Sequence, residues 1–208
     1  MDQFKDKKPQ REQQALETRS KIIQAAIKNF SKYGFHGTSI RDINQSIDTA
    51  QGLIYHYFPG GKDELFKVIS EESFEMIIKE MEDRKKGYSS MQLNDILEDI
   101  FKQVTEVIEA HFNELKILIF ELWKHKDLTD CDMHEIIFES LGWFPKLLTE
   151  KIHQGEIGSI DIELESYMLK SILVNHFLSR MIDHKMGYLD DKKNRQKIFQ
   201  RLINSWKE

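Results

Sequence analysis

The sequence predicts an all-α protein of about nine helices, with a three-helix helix-turn-helix DNA-binding domain at the N-terminus and a larger helical domain behind it. Three observations lead there. Apolar residues recur at helical spacing along nearly the whole chain, with no convincing strand, internal repeat or low-complexity segment. Thr38 to Phe58, TSIRDINQSIDTAQGLIYHYF, reads as two short helices joined by a tight turn at Ser46–Asp48. Charge is also unevenly divided: residues 1–70 hold 11 Lys and Arg against 8 Asp and Glu, whereas the rest of the chain holds 19 against 27. A small basic head on a larger acidic body is the distribution expected of a nucleic-acid reader joined to a domain with another task.

The 208 residues, 40% of them hydrophobic, are enough for one generous domain or two modest ones. A single cysteine, Cys131, excludes an internal disulfide framework and fits a reducing compartment. Met1 to Gln10 lacks the apolar segment of a secretion signal, and no apolar run approaches the ~18–20 residues of a membrane span. The expected location is the cytoplasm.

Met1 to Leu16 is polar and contains Pro9, so it reads as a flexible arm, either a solvated tail or a basic arm touching DNA. A first helix follows over about Glu17 to Tyr33, stopped by Gly34. Thr38 is the expected N-cap of a second helix, about Ser39 to Gln45, with Ile40 and Ile43 inward and Arg41 and Asp42 outward. A third runs from about Ala50 to Tyr57, and Pro59-Gly60-Gly61 stops it. Lys62 opens a long fourth helix to about Arg84, a natural rigid connector between head and body. Further helices are expected over about Leu93 to Ala110, Glu114 to Lys124, Met133 to His153 with a kink at Gly142 and Pro145, Ile162 to Asp183, and Asp191 to Trp206. From Met168 to Ile182 the plainly polar residues Ser171, Asn175 and Ser179 share one stripe and most other positions are apolar. One face of that helix then meets the body and the other a partner, most simply a second copy, unless the helix is buried at the centre of a monomer.

Within the head, the chemistry assigns candidate DNA contacts. Thr38 at a helix N-terminus and Arg41 one turn on suit phosphate. Gln51 offers a bidentate amide to adenine, Gly52 permits close backbone approach, and Leu53 meets a thymine methyl. Tyr55, His56 and Tyr57 suit phosphate oxygens, and Lys62 adds a cation on the same side. Ile54 and Phe58 hold the helix down.

The segment Arg19 to Phe66 resembles the N-terminal domain of the tetracycline-repressor (TetR) family of bacterial transcriptional regulators. The resemblance is carried by IIQAAIKNFSKYGF, T-S-I-R-D-I, G-L-I-Y-H-Y-F and the Lys that opens helix 4, in matching order and spacing over about a quarter of the chain. The chain departs from the pattern at Asp48-Thr49-Ala50, where the family usually has Gly-Val-Ser, at Ile47, where a small residue is commoner, and in a spacer one residue longer before Lys62. The resemblance implies a DNA-binding domain over residues 1–66 and an effector-binding and dimerisation domain over 67–208, with no cofactor. It further implies a homodimer formed through the last two helices, a palindromic operator, and release from that operator by a small molecule. The candidate effector lining is apolar and aromatic, Phe101, Phe120, Trp123, Phe138, Trp143, Phe144 and Phe177, with His111, Asn175 and His176 as candidate polar contacts, which suits a hydrophobic or aromatic effector. Each of these aromatics equally suits a plain core position. A protein of the same fold that signals to a protein partner without any effector is the alternative.

His125, Cys131 and His134, with Asp127, Asp130 and Asp132, form a local cluster, but the spacing is not a zinc signature and the segment reads as a solvated loop. No phosphate-cradling glycine loop, nucleophile elbow or HExxH occurs, so the sequence predicts neither a metal site nor an enzyme.

Overall fold

A computed structural model describes residues 7–48, 51–83, 87–125, 127–129, 141–183 and 187–207. The described residues form nine α-helices: α1 (Lys7–Tyr33), α2 (Ile40–Ser46), α3 (Gln51–Tyr57), α4 (Gly61–Asp83), α5 (Leu93–Ala110), α6 (Phe112–Phe120), α7 (Phe144–His153), α8 (Ile162–Asp183) and α9 (Lys192–Ser205). Single 3-10 turns occur at Tyr88–Ser90 and Leu122–Lys124. No helix among the described residues is long and apolar enough to cross a membrane.

The chain divides into two compact units, Met1–Phe74 with Asn113–Cys131, and Glu75–Phe112 with Asp132–Glu208. The first therefore recruits α6 and the turn after it from far along the chain, although the sequence gives no sign of this. Its core is built from Ile22, Ala26 and Phe30 of α1, Ile40 and Ile43 of α2, Ile54 of α3, Leu65, Phe66 and Ile69 of α4, and Ile117 of α6. Each side chain of this size contributes roughly 1.5–3 kcal/mol when fully buried, so the short α2 and α3 are held by packing rather than by intrinsic helicity.

Helix α1 starts at Lys7, ten residues before the expected start, so the stretch after residue 6 is helix rather than arm. Pro9 sits in its first turn, where a missing N–H costs nothing, and Gln13 pairs with Glu17 at 3.2 Å along the exposed surface. Residues 1–6 of the expected arm lie outside the described residues.

In the second unit, α5 packs against α8 and α9, and α7 against α8. Ile96, Leu97 and Ile100 of α5, Leu147 and Leu148 of α7, Leu169 and Leu173 of α8, and Phe199, Leu202 and Ile203 of α9 are buried. Trp206 closes the end of α9, fully buried beside Phe144, with its indole N–H donating to Glu165 at 2.7 Å. The ammonium of Lys151, also buried, donates to the Met91 carbonyl at 2.5 Å and pairs with Glu156 at 2.8 Å. That pairing satisfies a charge whose burial alone is costly.

Two late expectations change. Helix α6 ends at Phe120, and Leu122–Lys124 continues as a 3-10 turn instead of α-helix. Gly142 lies in a turn and α7 begins at Phe144 with Pro145 in its first turn, so the expected interruption at these residues takes the form of a turn and a fresh helix start. The expected start at Met133 lies outside the described residues. Helix α8 keeps its expected bounds, but Leu173 is only 3% exposed and faces its own unit.

Candidate nucleic-acid interface

The geometry of the reader begins at the turn between α1 and α2. Gly34 stops α1 in the left-handed region at φ +74°, with its N–H donating to the Phe30 carbonyl at 2.9 Å. Thr38 is 2% exposed, and its hydroxyl donates back to the Gly34 carbonyl at 2.9 Å. It is therefore a brace for the turn and not the expected cap or phosphate contact. The N-cap of α2 is Ser39, whose hydroxyl accepts the Asp42 N–H at 3.2 Å while the Asp42 carboxylate accepts the Ser39 N–H at 2.8 Å. The Ser39 hydroxyl, and then its N–H, hold the Asp42 carboxyl below the usual carboxylate range. Asp42 thus has a structural task that its outward position conceals. The Ser-x-x-acid spacing of a capping box was the sequence signal for it.

Lys62 is likewise drawn inward. Its ammonium donates to the carbonyls of Phe35 and Thr38, both at 3.1 Å, and lies 4.3 Å from the centre of the Phe35 ring. The structure engages this cation in holding the α1–α2 turn, whereas the sequence assigned it to phosphate.

Between α2 and α3 the chain reverses at Asp48, at φ +51°, a conformation that Asp tolerates better than most residues. Thr49 and Ala50, and with them the expected start of helix 3 at Ala50, lie outside the described residues, as does the side chain of Gln51, the residue that opens α3. Ile54 and Phe58 are buried, as the sequence requires. Arg19 lies over the Phe58 ring at 5.5 Å and pairs with Glu72 at 2.6 Å, so this residue supports α3 from behind.

The opposite face of α3 is open. Gly52, Tyr55 and His56 are exposed, Leu53 and Tyr57 half-buried, and Arg41 of α2 is exposed. A Cβ built on Gly52 meets no atom within 4 Å, so nothing inside the protein requires a glycine there. Tyr55 stands against Gly61, where an added Cβ would come within 3.1 Å of its ring, and the His56 and Tyr57 rings meet edge-on at 5.1 Å. A short helix held by its inner face, with open space over a glycine and phenol, imidazole and guanidinium groups around it, has the shape and chemistry to lie against a DNA groove.

Residues 22–69 match the model of the bacterial regulatory proteins of the tetR family. That segment is a TetR-type DNA-binding domain. The chain is 24% identical over 174 residues to the HTH-type transcriptional regulator YttP of Bacillus subtilis (strain 168), covering 84% of each chain. It is also 26% identical over 156 residues to the fatty acid metabolism regulator protein of the same organism, covering 71% of this chain and 75% of that one. Its fold is that of a tetR-family regulatory protein from Rhodococcus RHA1, with a TM-score of 0.64 at 16% identity over 90% of this chain and 95% of that one. Each of these relatives is named as a regulator.

The residues expected to line an effector site are placed variously in this chain. Phe120 falls in the DNA-reading unit and is exposed. The second unit brings Phe101 against His176, at 4.7 Å between ring centres, with the Arg195 guanidinium 4.3 Å from the Phe101 ring. Phe144 is core, packed against Trp143 and Trp206, while Trp143 stacks on Tyr88 at 5.1 Å. Burial first, and then the bond to Asp99, push the Tyr88 phenol up, so it stays protonated. His111 pairs with Glu80 at 2.7 Å, Asn175 is exposed and Phe177 half-buried. Phe138 and the side chain of Trp123 lie outside the described residues, as do Cys131, His134, Asp130 and Asp132 of the polar cluster. His125 of that cluster is buried in an aromatic nest with Phe35, Phe66 and His36.

Proposed function

We propose that this chain is a homodimeric repressor of a palindromic operator, paired through α8 and α9 and released by a small hydrophobic effector. The dimer is carried by one observation: Leu164, Tyr167, Met168 and Ile182 of α8 are exposed by 52%, 60%, 41% and 72%, on a helix whose other face is core. Large apolar side chains clustered at the start of α8, with Ile182 on the same face beyond Ser171 and Asn175, are covered by two-fold symmetry when the same face of a second copy meets them. Two-fold symmetry in the protein asks for an inverted repeat in the DNA, with half-sites about one helical turn apart, ~34–36 Å. Arg41, Tyr55, His56 and Tyr57 then meet phosphate, and Gln51, Gly52 and Leu53 meet base edges.

The kinship with a relative named for fatty acid metabolism supports an apolar effector. Buried His176, beside Phe101 and within 3.5 Å of the Thr105 hydroxyl, offers such a molecule a polar contact next to an aromatic ring. A ligand that favours a different separation of the two reading heads weakens operator binding by the difference in its affinity for the two arrangements. The test is selection of bound duplexes from a random pool, repeated with a panel of fatty acids and other apolar molecules. An inverted repeat whose recovery drops with one of them supports the reading. A single asymmetric half-site overturns the dimeric operator, and a repeat insensitive to the whole panel favours a protein partner as the signal.

A further inference from the structure

The turn joining α1 to α2 is held from a distance. The Phe35 N–H donates to Oε2 of Glu121 at 3.0 Å, across 86 positions of sequence. The carboxylate lies flat against the backbone, so that a Cβ added to Gly34 would stand 3.4 Å from Oε1. Lys62 holds the same turn by its carbonyls, and Thr38 braces it from within. A cation on the carbonyl side and an anion on the amide side thus fix the peptide that sets the start of α2, against which α3 packs.

His125 sits one turn beyond Glu121. It is 7% exposed, its ring lies 4.4 Å from that of Phe35, and its Nε2 has no hydrogen-bond partner among the described residues. That nitrogen is 3.8 Å from Oε2 of Glu121, the oxygen that accepts the Phe35 N–H. We infer that Glu121 is a positioning residue for the reading helices, and that protonated His125 competes for its Oε2 and loosens the α1–α2 turn. The inference rests on the DNA-reading role alone and not on a dimer or an effector.

The charges facing His125 make the competition uneven. Glu121 and Lys124 come from its own segment, Asp127 follows it, His36 comes from the turn, and Lys62 of α4 lies over the Phe35 ring against which His125 packs. Burial first, and then His36, hold the imidazole below its usual range against the pull of Glu121 and Asp127. Burial by itself raises the Glu121 carboxyl, but the Phe35 N–H and Lys124 outweigh it and keep the group ionised. Neutral His125 is a packing ring. Once charged it is a strong donor within reach of an oxygen already in use.

The measurement is amide hydrogen exchange of the full chain without DNA at about pH 7.5 and 5.5, corrected for intrinsic rates, alongside binding to the most enriched duplex from a random pool. In the native protein, protection of the Phe35 amide is expected to fall about tenfold between the two pH values while Ile22 and Ile54 stay protected, as for a local opening. His125→Phe and His125→Gln should each keep the high-pH protection at both. Glu121→Ala should lose it at both, and Glu121→Gln, which retains an acceptor oxygen, should keep most of it. Affinity for the duplex should drop at low pH in the native protein relative to His125→Phe. Equal protection of native Phe35 at both pH values, or the same fall in both His125 variants, overturns the inference. So does undiminished Phe35 protection in Glu121→Ala.

Discussion

The Lys62 ammonium is bonded to the Phe35 carbonyl and rests against the ring of that same residue, so one side chain is gripped through its backbone and its π-face together. A cation held this way is committed to the protein. Lys62→Met is expected to destabilise the DNA-reading unit by about 1.5–3 kcal/mol, the range for hydrogen bonds to a charged group. DNA affinity should weaken with the slope of log affinity against log salt unchanged. Thermal unfolding and a salt titration of binding check this. A slope reduced by about 1 identifies Lys62 as a phosphate contact after all.

Gly52 separates folding from recognition. No intramolecular atom lies near the added Cβ, so Gly52→Ala should leave stability unchanged or raise it by up to about 1 kcal/mol through helix propensity. The same methyl intrudes if the backbone of α3 approaches a base edge, and affinity for the selected operator should then fall by about 1–3 kcal/mol. Paired melting curves and gel-shift titrations decide it. Unchanged operator affinity moves the closest approach away from the start of α3.

The two faces of α8 predict opposite outcomes for the same substitution. Tyr167→Glu and Met168→Glu should yield folded monomers by sedimentation. Leu173→Glu, which places a charge in the core of its own unit, should unfold the second unit. Folded dimers in both surface variants remove this face from the interface.

His176 gives the second unit an acid-sensitive point. Burial first lowers its imidazole, Asp190 at 4.0 Å pulls the other way, and Arg180 and Arg195 reinforce the lowering. The folded state therefore binds this proton less readily than the unfolded chain does. The stability contributed by neutral His176 is fully present above the unfolded value of about 6.5 and is lost as pH falls below it. The melting temperature of the second unit should drop between about pH 7.5 and 5.5, and His176→Leu should reduce that drop. An identical drop in the variant assigns the acid sensitivity to another group.

Legibility in the sequence followed the range of the interactions. The α3 core residues Ile54 and Phe58, the bounds of α5 and α8, and the left-handed turn at Asp48 all follow from local spacing and backbone sterics. Thr38 and Ser39 mark the first limit. Both residue types cap helices, and only the depth at which Thr38 is buried decides that Ser39 takes the N-cap of α2. Phe120 marks the second. An aromatic at helical spacing is apolar wherever it lies, so the sequence could not say that it belongs with the DNA-reading unit rather than with Phe101 and His176.

By itself the sequence determined a helical regulator with a DNA-reading head, because helix periodicity, turn chemistry and the motif of α2 and α3 act over a few residues. Which polar side chains remain free to meet DNA was decided by the tertiary structure. Lys62 and Thr38 look available in the sequence, but the backbone groups left unpaired at the α1–α2 turn claim them. The carboxylate of Glu121 reaches that same turn from 86 residues away. Buried peptide groups must find partners, and only folding in three dimensions brings those partners near.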